Sequence, residues 1–289
     1  MKYSEKMLQD MALRNYCRRT INSYVYLTGR FFAWLGKPPA QATREDVRRY
    51  LLYLVNDEGM SKSTYGTVRA ALKFFFEVTL GKPCVIERIL APKRRYRLPD
   101  VLSLEEALEL LKHVETYRNR VALTVMYGSG LRIGETCSLR VDDIDSSRML
   151  IHIREAKGRK ERFVILPKTV LALLREYWKM AKPESYFFPG KVKGTHITAP
   201  AIRKAFHNAC KRAGVTKELT PHSLRHSFAT YLVDTGTDLD VVQALLGHES
   251  IRTTGIYTRT STRRLKDVVS PLDALPNDTT DGPAPAPVH

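Results

Sequence analysis

The sequence lacks the features that define several large classes of protein. Its 289 residues include only four cysteines, which lie far apart without a CxxC pair, so neither a disulfide framework nor a structural zinc site is expected. No apolar run approaches the roughly 18 to 20 residues that a membrane helix needs, and the N-terminus has no continuous apolar core of a signal peptide. We therefore expect a soluble, cytoplasmic protein that does not contact a membrane.

Acidic residues are scarce relative to basic ones. The chain has 47 Lys and Arg against 30 Asp and Glu, which gives a formal net charge of +17. Residues 1–97 carry 19 basic and 8 acidic side chains, so the first third is the more basic part. A surface of this charge favours polyanionic partners such as nucleic acid. The apolar content of 43% excludes extensive disorder, and the length predicts about two domains.

Residues 1–90 predict a small, all-helical domain. Apolar side chains recur at spacings of three and four in the segments 20–34, 46–55 and 63–78. The pairs Thr43 with Asp46 and Ser61 with Thr64 are typical of helix starts, and glycines follow where helices would end. The aromatic block at 74–76 is interpreted as core rather than as a platform for stacking bases.

Residues 91–99 predict a basic linker. The stretch 90–99, LAPKRRYRLP, places four basic residues between two prolines and has no apolar periodicity. It is either a solvated basic loop or an extended connection that crosses a phosphate backbone, and both interpretations stay open.

Residues 100–270 predict a second domain that is mainly helical with a small antiparallel sheet, and 271–289 predict a largely disordered tail rich in proline. Ser103 and Glu106 form a typical helix start. The stretch MLIHIREAKGRKERFVILP alternates, turns near Lys157 and Gly158, and alternates again, which indicates a β-hairpin. Further helices are expected at 118–127, 168–180, 199–213, 224–234, 239–246 and 262–269.

A set of basic and hydroxyl-bearing residues stands out in this second domain. Arginines, a lysine and histidines that converged on one point would bind a phosphodiester, because guanidinium groups bind pairs of oxygens and offset charge that develops in a transition state. In a helix, His222 and Arg225 would share a face. The set comprises Arg132 in GSGLRIGE, Lys157 in AKGRKER, His222 and Arg225 in PHSLRHSFAT, His248 in LLGHES, and Tyr257 in TTGIYT.

Several of these residues also have a purely structural interpretation. Arg132 could be a loop arginine paired with Glu135, and Lys157 shares its turn with Arg159 and Lys160, any of which could be merely solvated.

The remaining candidates have structural alternatives as well. His248 could cap a helix, and Tyr257 could be an ordinary surface tyrosine. His226 forms an HxxxH pair with His222 that could hold a metal, but no third ligand is evident, so we expect His226 to pack inward beside Phe228.

In order, local sequence and spacing, these motifs resemble those of the tyrosine recombinases, the phage integrase family. GLRIGE is followed by KGRKER about twenty-five residues later, then by HSLRHSFAT, by LLGH, and by a tyrosine nine residues after that histidine. The N-terminal segments YCRRTINSY and SKSTYGTVRAALKFFFE resemble the SAM-like core-binding domain of the same family. The resemblance covers residues 1 to about 275.

The resemblance implies an enzyme that cuts and rejoins duplex DNA by phosphodiester transesterification. A covalent 3′-phosphotyrosine link would conserve the bond energy, so no nucleotide cofactor or metal is expected. Carried over by position, the resemblance gives six residues a role: Tyr257 as nucleophile, Arg132 and Arg225 as ligands of the nonbridging phosphate oxygens, His248 as auxiliary phosphate ligand, Lys157 as general acid for the departing 5′-oxygen, and His222 as proton-transfer partner near Tyr257.

The sequence is most similar to integron integrases and then to Xer-type recombinases. The segment 166–220 is shorter than in integron integrases, so duplex sites are expected rather than folded single strands. The resemblance implies a monomer in solution, a homotetramer with double-stranded DNA sites in the synaptic complex, a Holliday junction intermediate, and a role in integrating or excising a mobile element at the bacterial nucleoid.

Alternatives remain for both the function and the C-terminal segment. Xer-type dimer resolution, a type IB topoisomerase-like enzyme and a non-catalytic DNA-binding protein are the other candidate functions. The segment 263–269 could pack against a neighbouring protomer or against its own domain.

Overall fold

The computed structural model describes residues 3–86, 100–154, 161–247 and 268–274, apart from the side chains of Ser63 and Cys84. The chain divides into two compact units, Met1–Arg97 and Leu98–His289. Each unit has its own cluster of buried apolar side chains. The mainly helical fold with a small antiparallel sheet confirms the predicted fold class. None of the described helices is long and apolar enough to cross a membrane.

The described part of the first unit contains four α-helices, and two of them begin at the predicted polar pairs. The Thr43 side chain accepts a hydrogen bond from the backbone of Asp46, and the Asp46 carboxylate accepts one from the backbone of Thr43 at 2.8 Å. Ser61 accepts from the backbone of Thr64 at 3.2 Å. The helices are α1 (Tyr3–Leu13), α2 (Arg18–Leu35), α3 (Arg44–Asn56) and α4 (Lys62–Phe74), and α4 continues into a π-helical turn at Phe75–Thr79.

The core of the first unit is aromatic. Phe75 and Phe76 are almost completely buried, and Phe31 lies against both Phe76 and Tyr50 with ring centroids 6.1 and 5.1 Å apart. Burial of such rings contributes both apolar area and edge-to-face attraction. This confirms that the block at 74–76 belongs to the core.

The described part of the second unit contains a three-stranded antiparallel sheet and seven α-helices. The sheet has the order β1 (Ile144–Asp145), β2 (Leu150–Ile153), β3 (Arg162–Ile165), and Ile153 pairs with Arg162, as expected of the predicted hairpin. The residues 155–160 between β2 and β3 lie outside the described residues. The helices are α5 (Leu104–Lys112), α6 (Tyr117–Ser129), α7 (Ile133–Ser138), α8 (Lys168–Ala181), α9 (Ala199–Arg212), α10 (Pro221–Asp234) and α11 (Leu239–Leu246).

The segment 268–274 differs from the prediction in two ways. Val268 and Val269 are not helical, and the rest of the predicted helix at 262–269 lies outside the described residues. Residues 271–274, assigned to a disordered tail, are packed against their own unit. Leu272 is buried, and the Asp273 carboxylate accepts hydrogen bonds from the backbone of Lys168 and Thr169 at 2.9 and 3.0 Å.

The physical reason is the start of helix α8. Its N-cap residue is Pro167, which offers no side-chain acceptor, so the free N–H groups of the first turn need a partner from elsewhere in the chain. Asp273 supplies that partner, and the Ser270 hydroxyl adds a buried hydrogen bond to the carbonyl of Gly128 at 2.9 Å. Residues 275–289 lie outside the described residues.

Candidate active site

Arg132 follows a tight turn at the end of helix α6. Gly130 ends α6 with φ 65°, and a Cβ atom there would lie 2.5 Å from the ring of Phe228, so only glycine fits. The turn makes Arg132 the residue that precedes helix α7, and its backbone N–H donates to the carboxylate of Glu135 at 2.8 Å. The GSGLR motif therefore places the first predicted arginine at a defined point.

Arg225 lies on the buried side of helix α10. Its side chain is only 6% exposed, and it donates to the carbonyl of Gly130 at 2.5 Å and to the carbonyl of Leu246. Burial and the neighbouring charge of Arg132 lower the pKa of Arg225, and the charge of Glu135 opposes this effect. A guanidinium group nevertheless stays protonated at neutral pH.

Three arginines meet at the C-terminal end of helix α11. The last carbonyl groups of a helix have no partner within the helix and carry its negative partial charge. Here Arg162 donates through Nε to the carbonyl of Leu245 at 2.9 Å, Arg225 donates to the carbonyl of Leu246, and Arg132 donates to the carbonyl of Gly247 at 2.8 Å. Three successive carbonyl groups therefore each bind one guanidinium group. These bonds bring Arg132 and Arg225 together at the point where the chain leaves α11 toward His248.

A single buried carboxylate joins the same three arginines. Glu135 accepts two hydrogen bonds from Arg162 and one from the side chain of Arg132, all at 2.8 Å, and lies 3.9 Å from Arg225. Burial would raise the pKa of Glu135, but the hydrogen bonds and charge of Arg162, together with the hydrogen bonds of Arg132, lower it to about 2. One negative and three positive charges leave this group of four residues with a net positive charge.

His222 lies near these arginines at the start of helix α10. It is exposed at the surface, yet partial desolvation of the ring and the charges of Arg225, His226, Arg203 and Arg132 lower its pKa. At neutral pH the imidazole is therefore neutral and able to accept a proton.

His226 contradicts the prediction that it packs inward. Its side chain is exposed, because the inward face of α10 is already occupied by Leu224, Arg225 and Phe228. No group of three or more His, Cys, Asp or Glu residues within the described ranges is placed to hold a metal ion.

Three of the six predicted site residues, Lys157, His248 and Tyr257, lie outside the described residues. The structure fixes where the chain enters and leaves the segments that carry them. Strand β2 leads toward Lys157 and strand β3 returns from it, while helix α11 leads toward His248 and Tyr257.

Sequence reasoning missed Arg162 and considered Glu135 only as a possible partner of Arg132. A signal for Arg162 was present, because strand residues two apart face the same side, and the apolar residue Val164 follows Arg162 by two positions in the predicted hairpin. An arginine at an inward position of a strand needs a buried partner. That partner, Glu135, is 27 residues away along the chain.

Known protein families match most of the chain. Residues 100–264 match the phage integrase family, and residues 4–86 match the phage integrase N-terminal SAM-like domain. The chain is 38% identical over 284 residues to an integrase/recombinase of Sinorhizobium fredii, y4qK, which covers 98% of this chain and 91% of that protein. It is 31% identical to the tyrosine recombinase XerA of Pyrococcus furiosus, with 94% of each chain covered.

Solved structures with this fold include a lambda integrase dimer bound to a COC′ core site. Its TM-score is 0.70 at 19% identity, with 86% of this chain and 94% of that chain covered. The fold and the matching families define a tyrosine recombinase, an enzyme that cleaves and rejoins DNA. The chain belongs to the phage integrase family.

Proposed function

We propose that this enzyme is a site-specific recombinase that cuts duplex DNA through a 3′-phosphotyrosine intermediate. The observation that carries the proposal is the meeting of Arg132 and Arg225 at the end of helix α11, at the start of the segment that leads to His248 and Tyr257. A positively charged group at this point is suited to a scissile phosphate, whose charge increases in the transition state.

The chemistry assigns a task to each of the six residues. The phenol oxygen of Tyr257 attacks the phosphorus, and the bond to the 5′-oxygen breaks as Lys157 gives that oxygen a proton. His222, neutral at the pH of the reaction, accepts the proton of Tyr257, and His248 adds a hydrogen bond to the phosphate. A free 5′-hydroxyl of a second strand then gives its proton to Lys157 and attacks the phosphotyrosine, and the released oxygen of Tyr257 takes its proton back from His222, so no cofactor is consumed.

The two arginines would bind the nonbridging oxygens of the phosphate. The described contacts of Arg132 use two of the five N–H donors of its guanidinium group, and its side chain is 24% exposed, so donors remain for a phosphate. Arg225 is the more deeply buried of the two. Its hydrogen bonds to the carbonyls of Gly130 and Leu246 hold the end of helix α6 and the end of helix α11 together beneath the site.

The proposal extends to partners and to biological role. Two duplexes and four cleavage sites require four protomers, so we propose a homotetramer on double-stranded DNA, a Holliday junction between the two rounds of strand exchange, and integration or excision of a mobile element. One solved relative of the same fold is a lambda integrase tetramer bound to a Holliday junction, with a TM-score of 0.70 at 19% identity. We further propose that residues 1–90 bind the DNA site and that residues 100–270 carry out the catalysis.

Trapping the covalent intermediate tests this function. A nicked duplex that carries the repeats flanking the gene is incubated in EDTA with wild-type protein and with Tyr257→Phe, and the products are separated on a denaturing gel. We expect an adduct with wild type and none with Tyr257→Phe. An adduct that persists in Tyr257→Phe, or a strict need for Mg²⁺, contradicts the mechanism. Relaxation of supercoiled plasmids without any site requirement would instead indicate a topoisomerase.

A further inference from the structure

We infer that Arg162 is a positioning residue for DNA cleavage, because it joins the buried carboxylate that orients Arg132 to the end of the helix from which the chain continues to His248. The inference rests on the proposed function and extends it to a residue that does not touch the phosphate.

Each of the three guanidinium nitrogens of Arg162 donates one hydrogen bond. Its two terminal nitrogens each lie 2.8 Å from a different oxygen of Glu135, and Nε donates to the carbonyl of Leu245 at 2.9 Å. A bidentate pair of an arginine and a carboxylate is among the strongest and most directional contacts between side chains. Its side chain is 10% exposed, and these contacts direct the guanidinium group at Glu135 and at the end of helix α11.

Gly247 shows how closely the end of helix α11 lies against this side chain. A Cβ atom at Gly247 would be 3.1 to 3.4 Å from Cδ, Nε and Cζ of Arg162, and the backbone there has φ +56°. The glycine therefore allows the helix to end in the left-handed conformation directly on the guanidinium group. The end of helix α11 therefore packs directly on Arg162.

Loss of Arg162 would disturb both ends of this connection. Glu135 would lose two of its hydrogen bonds. Only Arg132 and Arg225 would then offset its negative charge. The buried carbonyl of Leu245 would lose its side-chain donor. Arg132 and the end of α11 would then be free to shift, and a displacement of about 1 Å at a reacting centre can cost roughly 100-fold in rate.

Lysine cannot reproduce this arrangement. Its ammonium group is a single point charge, whereas Arg162 binds two oxygens of Glu135 and a carbonyl of the helix at the same time. A lysine would keep the charge near Glu135 and lose the link to Leu245. We therefore expect Arg162→Lys to restore only part of the function that Arg162→Met loses.

The test measures binding and chemistry separately in the full chain. Arg162→Met and Arg162→Lys are compared with wild type for DNA affinity, for the midpoint of thermal unfolding, and for the single-turnover rate of adduct formation at saturating nicked duplex. We expect Arg162→Met to lower the rate about 100-fold or more and Arg162→Lys about 10-fold, with affinity changed less than about threefold.

Arg118→Met provides the matched control. Arg118 is a half-buried arginine of the same unit that donates to the carbonyl of Pro189 at 2.7 Å and has no described contact with Glu135 or with the end of α11. We expect its cleavage rate to stay within about threefold of wild type, because it loses an arginine–carbonyl bond of the same kind without disturbing the site.

A double-mutant cycle with Glu135→Gln separates positioning from general destabilisation. If Arg162 acts through Glu135, the rate loss from Arg162→Met should be much smaller in the Glu135→Gln background than in wild type. Equal losses in both backgrounds, or cleavage by Arg162→Met at the rate of Arg118→Met, would overturn the inference. Should Arg162→Met fail to fold, cleavage by Arg162→Lys at the wild-type rate would overturn it equally. Wild-type protein that forms no adduct refutes the proposed function itself and removes the basis of the inference.

Discussion

Asp46 in the first unit and Glu135 in the second occupy the same local position. Each is the third residue of a helix, each is buried, and each accepts a hydrogen bond at 2.8 Å from the backbone of the residue preceding the helix. The cations around them differ. Lys37 and Arg49, which pair with Asp46, come from nearby in the sequence and are 36% and 61% exposed.

Two of the three arginines around Glu135 come from distant parts of the chain and are buried, and the third, Arg132, is local. Arg162 lies on strand β3 and Arg225 on helix α10, and their side chains are 10% and 6% exposed. In the first unit this motif thus only caps the start of helix α3. In the second unit it also connects helix α7 to strand β3 and, through Arg162, to the end of helix α11. The two carboxylates cap their helices in the same way. The cations around each carboxylate therefore determine whether it is a local structural contact or the centre of a site.

The largest difference between Glu135 and Asp46 is expected when each carboxylate is neutralised. Glu135→Gln keeps an oxygen for the backbone of Arg132 but removes the charge that holds the side chains of Arg132 and Arg162. We expect the single-turnover cleavage rate to fall by about 100-fold. Asp46→Asn serves as the control and should cleave within about threefold of wild type. Equal rates for the two variants would show that Glu135 is only a helix cap.

A smaller effect is expected on the stability of the first unit. Asp46→Asn weakens the cap of helix α3 and removes the attraction of Lys37 and Arg49. Since both cations are partly solvated, we expect a loss of about 1 kcal/mol in the free energy of unfolding, measured by denaturant titration of the full chain. A loss of several kcal/mol in the free energy of unfolding would mean that Asp46 stabilises its unit as strongly as a carboxylate in a buried charge network does.

The smallest expected effect is on the acid sensitivity of the second unit. The pKa of Glu135 in the folded chain, about 2, is below its ordinary value of 4.5, so its contribution to stability is complete above pH 4.5 and disappears as pH falls toward 2. Between pH 7 and pH 4 wild type should lose less than about 1 kcal/mol through this group. Glu135→Gln should lack that part of the pH dependence, and a parallel decline of both proteins over this range would contradict the assigned pKa.

Features that depend on neighbouring residues were predictable from sequence. The starts of α3, α4 and α5 follow from pairs such as Ser103 with Glu106, because a cap is formed within four residues of the chain. The order of the motifs around Arg132 and Arg225 predicted that these two residues belong to one site, and the structure brings them together at the end of α11.

Contacts between distant residues were not predictable in this way. The bond from Arg162 to Leu245 joins residues 83 apart, and the cap that Asp273 gives to Lys168 joins residues 105 apart. Hydrophobic periodicity gives each element a face but does not say which charged side chain meets which free helix end. For the same reason the composition of the tail, which is rich in proline and polar residues, did not reveal that Leu272 is buried in the core.

The attachment of Leu272 and Asp273 has a consequence for the order in which the second unit can be completed. The Asp273 carboxylate caps the start of helix α8 from a position 105 residues after Lys168 in the chain. Because a chain is synthesised from its N-terminus, helix α8 is made long before the carboxylate that caps it. The first turn of α8 therefore keeps free N–H groups until the segment 268–274 has been made, and only then can Leu272 enter the core.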